Sequence, residues 1–145
     1  VPHDSSDCVG YCVQCEGITF TLVTDCGHVT EEICAFVAKA NYLVIEANHE
    51  VEKLMAGPYP LYLKERITSQ IGHLSNAECA RTIVENATEN LKHVWLCHLS
   101  DENNHPELAR IAVTSLMESY GLRAGVDFIV EVLRRKIPSE IYDLK

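Results

Sequence analysis

Ile18-Thr19-Phe20-Thr21-Leu22-Val23-Thr24-Asp25-Cys26-Gly27 is the stretch that decides the fold. Its first half is rich in β-branched side chains and reads as a strand. Thr30 follows shortly after, a residue type that caps a helix by accepting a backbone N–H, and Glu31 and Glu32 suit the positive end of a helix dipole. Ile33, Phe36, Val37 and Ala40 then recur at helical spacing. A strand that ends in a polar turn and feeds a helix is the repeating unit of an α/β sheet.

Outward from this unit the pattern continues. Upstream, Val9, Tyr11 and Val13 alternate along a strand from Val9 to Glu16, and Glu16-Gly17 turns it into a hairpin with the stretch above. Downstream, Leu43 to Ile45 is a short strand ending in Glu46-Ala47-Asn48-His49. Glu50 to Met55 and Leu61 to Ser69 read as helical, separated by Gly57-Pro58-Tyr59-Pro60. Ser75 and Glu78 have capping-box spacing for a helix running to about Asn90. Leu91 to Cys97 is a strand ending in His98-Leu99-Ser100. A polar loop, Asp101 to His105, leads to Pro106 at a first helical position, and that helix stops near Gly121. Val126 to Val132 is the last strand. The expected class is α/β, with a mixed sheet that is mostly parallel after the hairpin.

The 145 residues suit one domain, which buries about 70% of its unfolded surface. Acidic residues outnumber basic ones 21 to 12, for a formal charge of −9, the wrong balance for gripping a duplex mainly by its phosphates. Lys64 with Arg66, and Arg134-Arg135-Lys136, read as solvated surface. The seven cysteines are odd in number and lie mostly in apolar runs. They are expected to be reduced, mostly buried thiols of a cytoplasmic protein. Cys12 and Cys15 form a C-x-x-C, but in a strand their side chains face opposite ways, so a zinc knuckle is not expected. The apolar runs are too short to span a membrane, and the opening residues are not expected to act as a signal peptide.

Asp25, Glu46 and His98 each end a strand, and in open α/β sheets ligands bind outside those ends. His73, in Gly72-His73-Leu74-Ser75, precedes a helix start, and His3 precedes the hairpin. Imidazole with carboxylate suits zinc, manganese or iron, and such a metal supports hydrolysis. Each residue also has an ordinary reading. Asp25 alone reads as a turn residue, Glu46 as a solvated loop acid, and His98 equally as a packed, hydrogen-bonded histidine. His73 reads as the residue before a cap, and Asn103 and Asn104 as turn formers. His28, His49, His93 and His105 read as surface residues.

Several motifs together resemble the metallo-β-lactamase fold hydrolases, in their YycJ/WalJ-like branch close to tRNase Z. Pro2-His3-Asp4 with Val9-Gly10-Tyr11 is similar to "PHDA…PVGY", and Thr24-Asp25-Cys26-Gly27-His28-Val29-Thr30 to "TDLGYVT". Glu46-Ala47-Asn48-His49 resembles "ESNHD", Gly57-Pro58-Tyr59-Pro60 "GPYP", Gly72-His73-Leu74-Ser75-Asn76 "GHLSN", and His98-Leu99-Ser100-Asp101-Glu102-Asn103-Asn104 "HLSxENN". The resemblance runs in order from residue 2 to about 130. It implies a metal-dependent hydrolase, a phosphodiesterase or nuclease when complete, with two divalent metals, zinc or manganese. It places His3, Asp25 and His98 as metal ligands and His73 as a catalytic residue near the scissile phosphate. Glu46, Asn48 and Asn104 become residues that support the ligands or touch substrate.

The family's principal His-x-His-x-Asp-His motif is absent from the chain. The resemblance therefore implies a single partial domain, residues 1–145, forming the carboxyl-terminal half of an αββα sandwich. From this half alone we expect weak or no metal binding and no hydrolysis. We also expect it to pair, with a copy of itself or with the missing amino-terminal half, because an open apolar face rarely stays exposed. The partners implied are nucleic acid as substrate and no membrane. The alternative is a truncated, non-catalytic domain that only binds a partner.

Overall fold

A computed structural model describes residues 10–27, 29–58, 60–68, 73–134 and 141–144. Among the described residues it is an α/β fold built on one five-stranded mixed sheet whose strand order is the chain order. The hairpin is β1 (Tyr11–Cys15) with β2 (Ile18–Val23), paired antiparallel from Tyr11 opposite Leu22 to Cys15 opposite Ile18. Gly17 closes the turn at φ +81°, a backbone conformation that a side chain would resist. From there β3 (Tyr42–Glu46), β4 (His93–Cys97) and β5 (Ile129–Val132) add in parallel.

Helices make the crossovers. They are α1 (Glu31–Lys39), α2 (Val51–Ala56), α3 (Leu61–Thr68), α4 (Asn76–Asn86) and α5 (Pro106–Ser119). Thr30 accepts the Ile33 amide at 3.2 Å and caps α1. Ser75 and Glu78 form a reciprocal capping box at the start of α4. His105 caps α5, with Pro106 at its first turn. Helix α4 packs on both α1 and α5, so these three form one layer. Parallel neighbours joined in sequence by same-handed crossovers put their helices on the same face.

Strand alternation sorts the sheet's two faces. Val23, Leu43, Ile45, Val94 and Leu96 join Ile33, Val37, Ile83, Ala109, Val113 and Met117 in the main core. The opposite face carries Phe20, Tyr42, Val44, His93 and Trp95. Tyr142, from the chain's end, lies edge-on to His93 and Trp95 and hydrogen-bonds Glu131. Among the described residues no helix covers this second face, and none is long and apolar enough to cross a membrane.

Several expectations need correction. Helix α4 stops at Asn86, because Ala87 turns extended while its N–H still bonds the Ile83 carbonyl. The last strand begins at Ile129, since the Arg123 amide and carbonyl bond Asp127 and hold 123–127 as a turn. Of the six described cysteines only Cys26 and Cys79 are buried, and Cys15 is exposed on the edge strand. His49 and His93 are buried rather than superficial, and so is Asn103. His3, His28 and Cys8 lie outside the described residues.

Candidate metal centre

Asp25, Glu46 and His98 stand at the carboxyl ends of β2, β3 and β4, and the parallel register brings those ends side by side. His73 joins them from the loop before α4, which is tied to the β3 end by backbone hydrogen bonds. Asn48 N–H bonds the Leu74 carbonyl at 3.0 Å, and Asn76 N–H bonds the His49 carbonyl at 2.8 Å. Asp25, Glu46, His73 and His98 each offer one ligand atom, and these atoms lie within 4.8 Å of one another.

Glu46 is the centre of the cluster. It is fully buried, against its reading as a solvated loop acid. One carboxylate oxygen, Oε2, accepts the Asp25 amide at 2.5 Å and the Cys26 amide at 3.4 Å. The other, Oε1, lies 2.7 Å from His73 Nδ1 and 3.3 Å from His98 Nδ1. Asp25 Oδ1 is 3.3 Å from His98 Nδ1 and 3.7 Å from His73 Nδ1. The two imidazoles meet edge to face with centroids 5.2 Å apart. Burial pushes the Glu46 carboxyl up, but hydrogen bonds from the two histidines and their charge outweigh it, and its pKa lies below the ordinary value.

Solvent reaches the cluster from the other side. Asp25 and His98 side chains are about half exposed and His73 is a quarter exposed. Both half-exposed residues have left-handed backbones, with φ +54° at Asp25 and +56° at His98. That region is uncommon for residues other than glycine, and Asp and His tolerate it better than most. Such backbones persist where surrounding structure enforces them.

A second layer of polar groups stands behind. Asn48 Nδ2 donates to the His98 carbonyl at 3.0 Å, and its Oδ1 lies 3.2 Å from His49 Nδ1. Asn104 Nδ2 donates to the Ala47 carbonyl at 2.9 Å, and Asn104 and Asn76 exchange side-chain hydrogen bonds. Asn48 and Asn104 are both buried and point into this scaffold. Nothing in the local sequence singles out His49. Burial, with the nearby charge of His73, pulls its pKa down to about 4, although Glu46 acts in the opposite sense.

The donor set fits a divalent cation. Two imidazoles and two carboxylates, from three strand ends and the loop before α4, match the ligand types that hold zinc, manganese and iron. The cluster could hold one metal ion.

No family model matches the chain. It is 36% identical over 141 residues to the exodeoxyribonuclease YycJ of Bacillus anthracis, which covers 97% of this chain and 53% of that protein. It is 38% identical over 130 residues to the exodeoxyribonuclease WalJ of Streptococcus pneumoniae, covering 90% of this chain and 48% of the relative. The chain thus spans about half the length of the curated relatives it matches.

Proposed function

As kin of the YycJ/WalJ branch over about half its length, this chain, we propose, supplies one wall of a metal-dependent phosphodiesterase site acting on nucleic acid. The convergence of Asp25, Glu46, His73 and His98 carries the reading. In it, the chain is the carboxyl-terminal half of an αββα metallo-β-lactamase sandwich. Its apolar second sheet face meets the other half.

Asp25 and His98 would hold the cation, with His3 as a further ligand. A divalent cation there supplies a water of lowered pKa and stabilises developing charge on phosphoryl oxygens. A second ion needs ligands beyond this cluster. His73 faces the substrate in this reading. Glu46 Oε1, 2.7 Å from His73 Nδ1, orients the ring and leaves Nε2 to hold a proton for the departing oxygen. Glu46 is buried, so its charge acts undiluted by water.

His73→Ala in the complete enzyme should abolish most turnover while metal content stays at one or two ions per chain. Equal metal loss from His73→Ala and His98→Ala proteins would show that His73 is a ligand instead.

A specific feature favours a second reading, a non-catalytic module that binds a partner. The open face holds a cavity of about 270 Å³ lined by Phe20, Val44, Trp95, Leu133, Tyr142 and Leu144. The buried Trp95 Nε1 in its wall has no hydrogen-bond acceptor among the described residues. Sedimentation of the chain with and without metal separates the readings. Association that leaves the chain unable to bind metal or cleave a phosphodiester in the complete protein favours the module.

A further inference from the structure

We propose that Asn48 is a positioning residue that holds His98 in its left-handed backbone conformation, with His49 fixing the orientation of the Asn48 amide. The inference rests on the reading of His98 as a ligand only for its functional consequence. The positioning itself stands on the geometry.

His98 leaves β4 at φ +56°, and its ring position is set by that turn. Two hydrogen bonds with Asn48 brace the turn, one donated and one accepted. The Asn48 side-chain Nδ2 donates to the His98 carbonyl at 3.0 Å. The Asn48 carbonyl accepts the Ser100 amide at 2.8 Å. Just upstream, the Ala47 amide donates to the Cys97 carbonyl at 3.0 Å, so the brace starts where the β3–β4 ladder ends. Asn48 also donates its own amide to the Leu74 carbonyl, next to His73. One residue therefore ties together the two loops that deliver the two histidines.

An amide side chain has a donor end and an acceptor end, and only one orientation serves here. The His98 carbonyl needs Nδ2, so Oδ1 must face His49 Nδ1. Oδ1 can only accept, so His49 must carry its proton on Nδ1. This is satisfied by a neutral imidazole, and His49 is 1% exposed, where a neutral ring is favoured. Its other nitrogen, Nε2, is buried with no hydrogen-bond donor among the described residues. The imidazole thus uses its single N–H to lock the amide. Asp25 is braced in parallel, through the Glu46 carboxylate on its amide. The end of β3 so braces both left-handed site residues, one through Glu46 and one through Asn48.

The test uses the full chain and its Asn48→Asp and Asn48→Ala variants. Asn48→Asp keeps the shape and the acceptor for His49 but removes the donor to His98. In nuclear magnetic resonance spectra, a left-handed residue gives a strong nuclear Overhauser effect between its own amide and α protons. Wild type should show this effect at both Asp25 and His98. Both variants should lose it at His98 and keep it at Asp25. In the complete protein carrying the same changes, zinc affinity, read by chelator competition, should fall about ten- to a hundred-fold, the usual consequence of losing a group that orients a ligand. Retention of the His98 effect in Asn48→Asp, or its absence in wild type, overturns the proposal. Global unfolding of both variants overturns it as well, because Asn48 would then support the fold rather than His98. Asp25→Ala is the control for the metal reading. If it binds zinc as wild type does, that reading fails, and the His98 spectra still decide the role of Asn48.

Discussion

Acidifying the protein should expose His49 as a destabilising group. In the fold it is buried and neutral with its pKa pulled down to about 4, against an ordinary value of 6.5. The unfolded chain therefore binds a proton in the window between those values while the native one does not, and stability falls as pH drops through it. At pH 5, near the middle of the window, the difference amounts to about 2 kcal/mol relative to pH 7.5, from 1.36 kcal/mol per pKa unit. Glu46, whose pKa is lowered from the ordinary value by its hydrogen bonds with His73 and His98, is present in both proteins compared below, so its own titration largely cancels. His49→Gln keeps a donor for the Asn48 oxygen but cannot titrate. Urea unfolding of both proteins in chelator, at pH 7.5 and pH 5, gives the stability difference between them at each pH. That difference should shift by about 2 kcal/mol in favour of His49→Gln at the lower pH. A difference constant to within about 0.3 kcal/mol would refute the argument, and would mean that His49 is solvated or protonated in the fold.

Other outcomes follow from the same structure. Leu96→Ala removes a fully buried side chain from the main core and should lower stability by about 2–5 kcal/mol in urea melts, whereas exposed Tyr62→Ala should stay within about 0.5 kcal/mol. Ser75→Ala breaks the capping box of α4 and should lose about 1 kcal/mol, read the same way, and an unchanged midpoint would show the cap to be idle. Burial, with the negative charges of Glu46 and Asp25 nearby, pushes the Cys97 thiol up to about 12, and burial raises Cys79 too. A maleimide at pH 8 should therefore label exposed Cys15 well before Cys97 or Cys79, as peptide mapping by mass spectrometry would show.

The sequence carried the elements well because each has a local cause. The hairpin needs Gly17, α1 needs Thr30, and α4 needs Ser75 with Glu78, all readable within a few residues. Local pattern failed where burial comes from distant segments. Glu46 looks like a loop acid until β2 and β4 flank it and the Asp25 amide turns toward it. His49 looks superficial until Ser75 pairs beside it as an isolated bridge. His93 shares the alternation of Trp95, and the two rings stack at 4.0 Å on a face that no helix covers among the described residues. Cys12 and Cys15 look buried by composition, but β1 is an edge strand with little above it. The strand ends pointed to Asp25, Glu46 and His98 together, because parallel strands put their last residues on one edge. The place of His73 in the cluster depends on the loop bonds through Leu74 and His49, which no spacing reveals.

The strand order β1-β2-β3-β4-β5 also bears on how the protein is born. No later strand has to wedge between two earlier ones, so a chain leaving the ribosome can lay the sheet down edge by edge. Domains take shape as synthesis proceeds from the amino end. Asp25 and Glu46 emerge first, and their mutual contact forms once β3 lies beside β2. His73 arrives next but lacks its anchorage until α4 docks. His98 comes last, after β4 has found β3. The four groups are thus not assembled until β4 has emerged and docked on β3.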